Sequence, residues 1–466
     1  MLDKSKLKFN CKPCKWIKKN IEKIGKKFNS VAKNELSTII FDEGMNMNIK
    51  SFYLSGYKNI FNTTIELFNV TALMSLNSKG KSNLLKGLFF GLKLFNLNPN
   101  ERDKYFLLSK SLSKPLNKNT FNNPYELKIR GETNINNEKV DIDYFIKVDW
   151  ASKSGIKIIE EILRVKPEFS ERFTVFYERK NNDVKYKKYE KRGCDVLDKI
   201  MDNEMIFDFY SNKNIYYQLL IEKIKSINFA IDRHFDNSST YESVTENYNS
   251  NEFSFCGNKK ENTPENLYLL KTFHKNHYDR IISAIKNLFD DLIDINVEKI
   301  DVNPNIIGNR NYYELYAKQK SVDAFINCSE MSDGFKRALN NLIFLSICEI
   351  KNVSIVALEE PENSVNPTVF GKYIQIIAEF ADSYKILFTS HSPFLLQYMP
   401  LNHVFIALEN NEGNTFFKHI KQTYIKRVTE KSNRLNVLTG TYIFDVLSNE
   451  SNFDKEILKE ALDIDE

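Results

Sequence analysis

Three short stretches carry the residue types that phosphate chemistry needs. The first is Thr71-Ala72-Leu73-Met74-Ser75-Leu76-Asn77-Ser78-Lys79-Gly80-Lys81-Ser82-Asn83. Its close, Gly80-Lys81-Ser82, reads as the end of a Walker A loop. The glycine lets backbone N–H groups approach a phosphate, the lysine neutralises β and γ charge, and the hydroxyl ligates Mg²⁺. Val70 to Leu73 reads as a buried strand, and Leu84, Leu85, Leu88 and Phe89 recur at helical spacing. The loop therefore presents an anion to a helix N-terminus. The full pattern G-x-x-x-x-G-K-[ST] asks for glycine where Ser75 stands, and glycine-richer forms ask for one at Ser78.

The second stretch, Val353-Ser354-Ile355-Val356-Ala357-Leu358-Glu359-Glu360-Pro361-Glu362-Asn363, is a buried strand ending in adjacent carboxylates, a Walker B pattern. Glu359 is expected to hold Mg²⁺ through water, although Asp is the usual residue there. Glu360 is expected to accept a proton from water attacking a γ-phosphate. The third, Lys385-Ile386-Leu387-Phe388-Thr389-Ser390-His391-Ser392-Pro393, is a strand ending in histidine, with Pro393 opening a further helix. It follows the Walker B strand by one helix, which brings His391 to the same sheet edge, where open α/β sheets bind ligands. There it reads as a γ-phosphate sensor or switch. Between the phosphate loop and Walker B lies Ser329-Glu330-Met331-Ser332-Asp333-Gly334-Phe335-Lys336-Arg337. A serine and a glycine two apart at a helix start resemble a cassette signature loop. Ser332 also reads as the N-cap of an ordinary helix running to Cys348.

These loops need strands and helices to hold them. Met47–Leu54 alternates as a strand, Thr64–Leu76 reads as one strand leading into the loop, and a helix runs from about Lys81 to Leu94 into the turn Asn96–Asn100. Tyr125–Gly131, Val140–Trp150, Lys157–Val165 and Arg172–Glu178 read as antiparallel strands, with a hairpin turn at Asn136-Asn137. Cys194 to about Phe235 and Thr263–Leu292 read as helical, and the polar stretch Asn237–Asn262 as an exposed or disordered loop. Ile295–Val302 and Tyr312–Ala317 return to strand patterns, followed by alternating helices and strands and a short acidic helix, Phe453–Glu466.

Length and composition bound the rest. The chain has 466 residues, 42% of them hydrophobic, enough for two or three domains or one large one with an insertion. No apolar run approaches the ~20 residues of a membrane span, and the N-terminus lacks the pattern of a secretory signal. Six scattered cysteines imply no disulfide framework and point to a reducing cytoplasm. Cys11-Lys12-Pro13-Cys14 is a lone CxxC, incidental unless a metal or redox role uses it. The net charge of +5 hides a basic arm: residues 1–34 carry eleven Lys against Asp3 and Glu22. Within it Ile17, Ile21, Ile24, Phe28 and Val31 recur at helix spacing. Attachment to nucleic acid or membrane, docking onto a partner or second copy, and a lid over its own core all fit that pattern.

Taken together, Ser332-Asp333-Gly334, Leu358-Glu359-Glu360-Pro361-Glu362-Asn363-Ser364 and Thr389-Ser390-His391-Ser392-Pro393 resemble the RecF/SMC/OLD branch of AAA/ABC-type ATPases. The loop Asn77-x-x-Gly80-Lys81-Ser82-Asn83 resembles that branch as well, and the match covers about Met47–Leu94 and Ile295–Leu447. The resemblance implies an α/β fold: an ABC-type P-loop ATPase head, a mixed sheet with helices plus an antiparallel β region, with an inserted mainly helical lobe. It implies five segments: a basic arm (1–45), the N-terminal half of the head (46–190), the insertion (191–294), the C-terminal half (295–450) and the acidic helix (451–466). ATP and Mg²⁺ are the implied cofactors, with Asn77, Gly80, Lys81, Ser82 and Asn83 on nucleotide and Ser82 and Glu359 on the metal. Glu360 and His391 are the implied catalytic pair. Ser332 and Gly334 would reach a second copy's nucleotide in a head-to-head ATP sandwich, making a homodimer or higher oligomer.

Several features depart from that branch. Ser75 and Ser78 replace glycines, Asn366 stands where His is frequent, and no Gln occurs between Ser82 and Glu190 to serve as a Gln-loop ligand. Slow hydrolysis, or binding used as a switch, follows as an expectation. Toprim nuclease members of the branch continue well past the histidine. Here about 75 residues follow His391, and Asp463-Ile464-Asp465 sits at the extreme end with no strand to carry it. The chain thus resembles stand-alone ATPases of bacterial anti-phage systems such as PARIS and Septu, which control a separately encoded effector. A RecF-like ATPase that binds DNA for repair or maintenance, and a nucleotide-dependent scaffold without turnover, are the alternatives.

Overall fold

The computed structural model describes residues 47–448, apart from 77–78, 116–119, 136–137, 188–194, 211–214, 233–243, 247–261, 301–309 and the single positions 323, 382 and 411. The basic arm with Cys11 and Cys14, Asn77, the Asn136-Asn137 turn and the acidic C-terminal segment therefore lie outside the described residues. The described chain forms two compact units. One takes the residues up to Leu67, Asn83–Asn228 and Leu408–Phe417; the other takes Phe68–Ser82, Phe229–Ala407 and the residues from Lys418 on.

The first unit is built on an eight-stranded sheet in the order Thr63–Glu66, Asn48–Ser55, Tyr125–Ile135, Glu138–Asp149, Lys157–Pro167, Thr174–Lys180, Asp183–Lys187 and Asp195–Lys199. Every neighbouring pair is antiparallel. Alternation drives it: in Tyr125–Ile135 every second residue is buried and the intervening ones are not. The buried face meets the helix Lys81–Phe95, whose Leu84, Leu85 and Leu88 are fully buried. Phe90 packs edge-on against Tyr125 and beside Trp150, which stacks on Phe106. Phe106 belongs to the helix Pro99–Ser113, whose start overlaps the turn expected at Asn96–Asn100 and whose body had no assignment from sequence. The polar residues there are a helix start: Asn98 and Glu101 form a reciprocal capping box, and Pro99 occupies the first turn.

The second unit carries a sheet in the order Phe229–Asp232, Ile355–Glu359, Lys385–Ser390, Val70–Met74, Val404–Glu409 and Thr415–His419. The first five strands run parallel. They read as continuous apolar runs because both faces are covered; Val70–Met74 and Ile355–Leu358 are buried at every position. The helix Asp333–Ile350 is buried without a break from Phe335 to Cys348. A smaller antiparallel sheet pairs Leu292–Ile300 with Arg310–Gln319, which also receives Val244–Glu246 and Phe325–Asn327.

Several sequence expectations change. The stretch 64–76 is two strands, since Phe68-Asn69 breaks it and Phe68 N–H donates to Thr71 Oγ1. The alternating half, Thr63–Glu66, joins the antiparallel sheet, and the all-apolar half joins the parallel one. Within 194–235, read as helical, Asp195–Lys199 and Phe229–Asp232 are strands, because each has a partner strand to pair with. Val244–Glu246 is also a strand within a stretch read as loop. Pro393 opens a five-residue 3-10 turn rather than a full helix.

Candidate nucleotide-binding site

Parallel strands bring their carboxyl ends to one edge, so Ser75, Asp232, Glu359-Glu360 and Ser390-His391 gather there. Gly80 has φ +88°, a left-handed conformation that glycine adopts without strain, and it delivers the chain into the helix at Lys81. Ser82, in the first turn, is exposed. The Lys81 side chain is only 6% exposed. Its Nζ donates to Ser75 Oγ at 2.7 Å and lies 2.9 Å from His391 Nδ1 and 3.1 Å from Nε2. Burial brings the Lys81 ammonium down to about 8, while Glu360, Glu362 and Glu359 oppose that shift.

His391 Nε2 stands 3.0 Å from Glu360 Oε1. Nδ1 also lies 3.1 Å from Ser75 O; with Nε2–H donating to Glu360, Nδ1 accepts from Lys81 and Ser75 O is left to the lysine, 3.5 Å away. Lysine, imidazole and carboxylate then form a continuous chain. Glu360 itself has φ +50°, its N–H donates to Thr389 O at 2.8 Å, and Asn363 Nδ2 donates to its Oε2 at 2.6 Å. A left-handed non-glycine residue costs about 1–3 kcal/mol and persists where its surroundings fix it, as these bonds do.

Three further residues were not singled out from sequence. Arg337, on the helix that Ser332 begins, donates from Nη2 to Glu359 O at 2.7 Å. Its Nη1 lies 3.4 Å from Asp232 Oδ2 in an ion pair; each residue is 2% exposed. Burial drives the Asp232 carboxyl up to about 6, against the pull of Arg337. Glu362 accepts a hydrogen bond from the Ser390 hydroxyl through Oε1, while its Oε2 is buried with no hydrogen-bond partner. Burial raises the Glu362 carboxyl, and the Ser390 hydroxyl and the backbone amides of Glu362 and His391 pull it back. Arg337 and Glu362 lay within the quoted motifs. Asp232 had no signal, because its strand read as helix.

Lys81, His391 and Glu360 are thus brought together. Ser332 and Gly334 sit at a different helix start, and among the described residues no hydrogen bond joins them to those three. The Ser332 hydroxyl caps its own helix, accepting from Phe335 N–H at 3.3 Å. Gly334 lies against the Ser364 carbonyl, which a Cβ would approach to 2.5 Å. Asn83 belongs to the first unit, where it donates to Asn59 Oδ1 at 2.8 Å, and Asn59 donates to Thr415 Oγ1 at 2.8 Å. Ser82 and Glu359 offer the hard oxygen donors that Mg²⁺ takes. Among the described residues no group of three or more His, Cys, Asp or Glu could hold a metal ion. A Mg²⁺ held by Ser82 and Glu359 would complete its shell with phosphate oxygens and water, the usual arrangement with nucleotide.

A parallel sheet presenting a phosphate-loop lysine, an acidic pair and a strand-end histidine at one edge defines an ABC-type P-loop ATPase head of the RecF/SMC kind. Residues 76–397 match the family described as "AAA domain, putative AbiEii toxin, Type IV TA system", and the chain belongs to that family. Among solved structures it is similar to an SMC head domain from Thermotoga maritima, at 12% identity over 80% of this chain and 100% of that one, with a TM-score of 0.40. An Smc head bound to the C-winged helix domain of ScpA aligns at 12% identity over 81% and 99%, TM-score 0.45. The Smc head of Pyrococcus furiosus, bound to the C-terminal domain of ScpA, aligns at 10% identity over 83% and 100%, TM-score 0.42. No curated protein matches the chain. Among the described residues no helix is long and apolar enough to cross a membrane.

Proposed function

We propose that this protein binds ATP with Mg²⁺, hydrolyses it, and uses the cycle to control a separately encoded effector in a bacterial anti-phage defence system. The observation that supports it best is the contact of Lys81, His391 and Glu360 at one sheet edge. In this reading Gly80 and the N–H groups of the helix start receive phosphate, and Lys81 neutralises the β and γ oxygens. Ser82 and Glu359 would hold Mg²⁺, whose charge would offset that developing on the transferred phosphoryl group. Glu360 takes the proton of the attacking water, with His391 fixing its orientation. Ser332 and Gly334 face the nucleotide of a second copy, so two heads close on ATP. The family's description names a toxin of a toxin–antitoxin system, which favours an ATPase that works with a second gene product.

The test is ATP turnover and oligomeric mass of wild type beside Glu360→Gln and Lys81→Ala. We expect Glu360→Gln to stop turnover while accumulating a larger ATP-bound assembly, and Lys81→Ala to lose ATP binding. Hydrolysis by wild type that Glu360→Gln leaves unchanged would remove Glu360 from the mechanism. Tight ATP binding without any turnover would replace hydrolysis by a scaffold role. Duplex DNA binding that falls steeply with salt would move the protein to DNA maintenance.

A further inference from the structure

The run Glu359-Glu360-Pro361-Glu362 contains a third acid that the proposed ATPase cycle leaves without a task. Glu362 follows the turn that Glu360 and Pro361 make, and its carboxylate reaches across to the neighbouring strand Lys385–Ser390. There Oε1 accepts from the Ser390 hydroxyl, and that same hydroxyl accepts the N–H of Ser392 at 2.9 Å. His391 lies between these two anchored residues, and its backbone N–H approaches the carboxylate. Glu362 thus holds the Ser390 side chain, and that side chain in turn holds the backbone N–H of Ser392 on the far side of the histidine. The imidazole it carries touches Glu360 at 3.0 Å and Lys81 at 2.9 Å.

We infer that Glu362 is a positioning residue, tying the end of the histidine strand to the Walker B turn and so setting His391 against Glu360. The buried Oε2 has no hydrogen-bond partner, and a polar atom left so costs about 1–3 kcal/mol. Through the Ser390 hydroxyl Glu362 steadies the chain that carries the His391 ring. A misplacement of about 1 Å in such a group is enough to cost on the order of a hundredfold in rate.

The inference rests on the ATPase reading, and the experiment separates the two. We would measure kcat, KM for ATP and melting temperature for wild type, Glu362→Ala, Glu362→Gln, His391→Ala and the Glu362→Ala/His391→Ala double variant. Glutamine keeps the acceptor that Ser390 uses. Expected are a loss of at least about tenfold in kcat for Glu362→Ala with KM changed less than about threefold, recovery of most of kcat in Glu362→Gln, and a double variant no slower than His391→Ala. The inference is overturned by wild-type kcat in Glu362→Ala, by parallel loss of kcat, ATP affinity and melting temperature, by failure of glutamine to rescue, or by additive single effects. If wild type turns over no ATP, the ATPase reading fails by itself. The ring resonances of His391 then decide: Glu362→Ala must shift them and Glu362→Gln must leave them in place, and unshifted resonances in Glu362→Ala overturn the placement.

Discussion

Replacing Arg337 by alanine would show how firmly the helix that starts at Ser332 is tied to the Walker B strand. Arg337 and Asp232 are each 2% exposed, with Nη1 and Oδ2 3.4 Å apart. A second guanidinium nitrogen donates to Glu359 O at 2.7 Å. Truncating one member of a buried pair strands the other charge and costs about 3–5 kcal/mol. The charge-assisted bond to Glu359, about 1.5–3 kcal/mol, is part of that figure and is not added to it. We therefore expect Arg337→Ala to lower unfolding free energy by about 4 kcal/mol. Asp232→Asn in the same background removes the stranded charge and should recover about half, while Asp232→Asn with Arg337→Met should lie near wild type.

The assay is urea unfolding of the four corners of the cycle at two pH values. Asp232 is raised in the folded state from 3.8 to about 6. Its contribution to stability is thus complete below about 4 and is lost as pH rises through 6. Without Arg337 its carboxyl rises further, so the loss continues to higher pH and the gap between Arg337→Ala and wild type widens from pH 5 to pH 8. A cost below about 1 kcal/mol, a gap that does not grow with pH, or strictly additive effects of the two substitutions would refute the pairing.

Two further perturbations follow from the same kind of geometry. Glu161 is fully buried in the first unit, accepting from Tyr144 Oη at 2.6 Å and Ile206 N–H at 3.1 Å, and burial raises it from 4.5 to about 7. Folding stability should therefore fall as pH rises from about 4.5 through 7, by on the order of 3 kcal/mol. Glu161→Gln should flatten that slope in urea midpoints taken at pH 5 and 8, and parallel curves for the two proteins would count against it. Gly334→Ala would put a Cβ 2.5 Å from Ser364 O and force the helix start off the Walker B turn. A loss of about 1–3 kcal/mol in thermal unfolding of the nucleotide-free protein is expected, and an unchanged melting temperature would show that the turn yields freely.

The phosphate loop, the acidic pair and the strand-end histidine could be read from sequence because their signals are local. Each is a short apolar strand followed at once by its chemistry, and parallel pairing fixes where strand ends go. What was lost depended on partners distant in the chain. Phe229–Asp232 is a strand because Ile355–Leu358 lies beside it, and no window around Asp232 contains that information. Asp195–Lys199 is decided likewise by Asp183–Lys187. The helix Pro99–Ser113 is a different miss. Its capping box, Asn98 with Glu101, was present in the sequence, but Asn96–Asn100 was read as a turn because Asn and Pro favour both.

Ser75 shows how a motif departure is weighed once the backbone is known. Glycine is required in a loop for a left-handed φ or for close approach of another group. Gly80, at φ +88°, meets the first condition; Ser75 is not among the left-handed residues. A serine is therefore compatible with the backbone there. Its hydroxyl donates to Leu76 O at 2.6 Å, which leaves its lone pairs to receive the Lys81 ammonium at 2.7 Å. Since Lys81 is buried and its charge disfavoured by that burial, an added acceptor at Ser75 favours the protonated lysine that phosphate needs. The replacement that weakens the motif on paper supplies an electrostatic partner that glycine would lack.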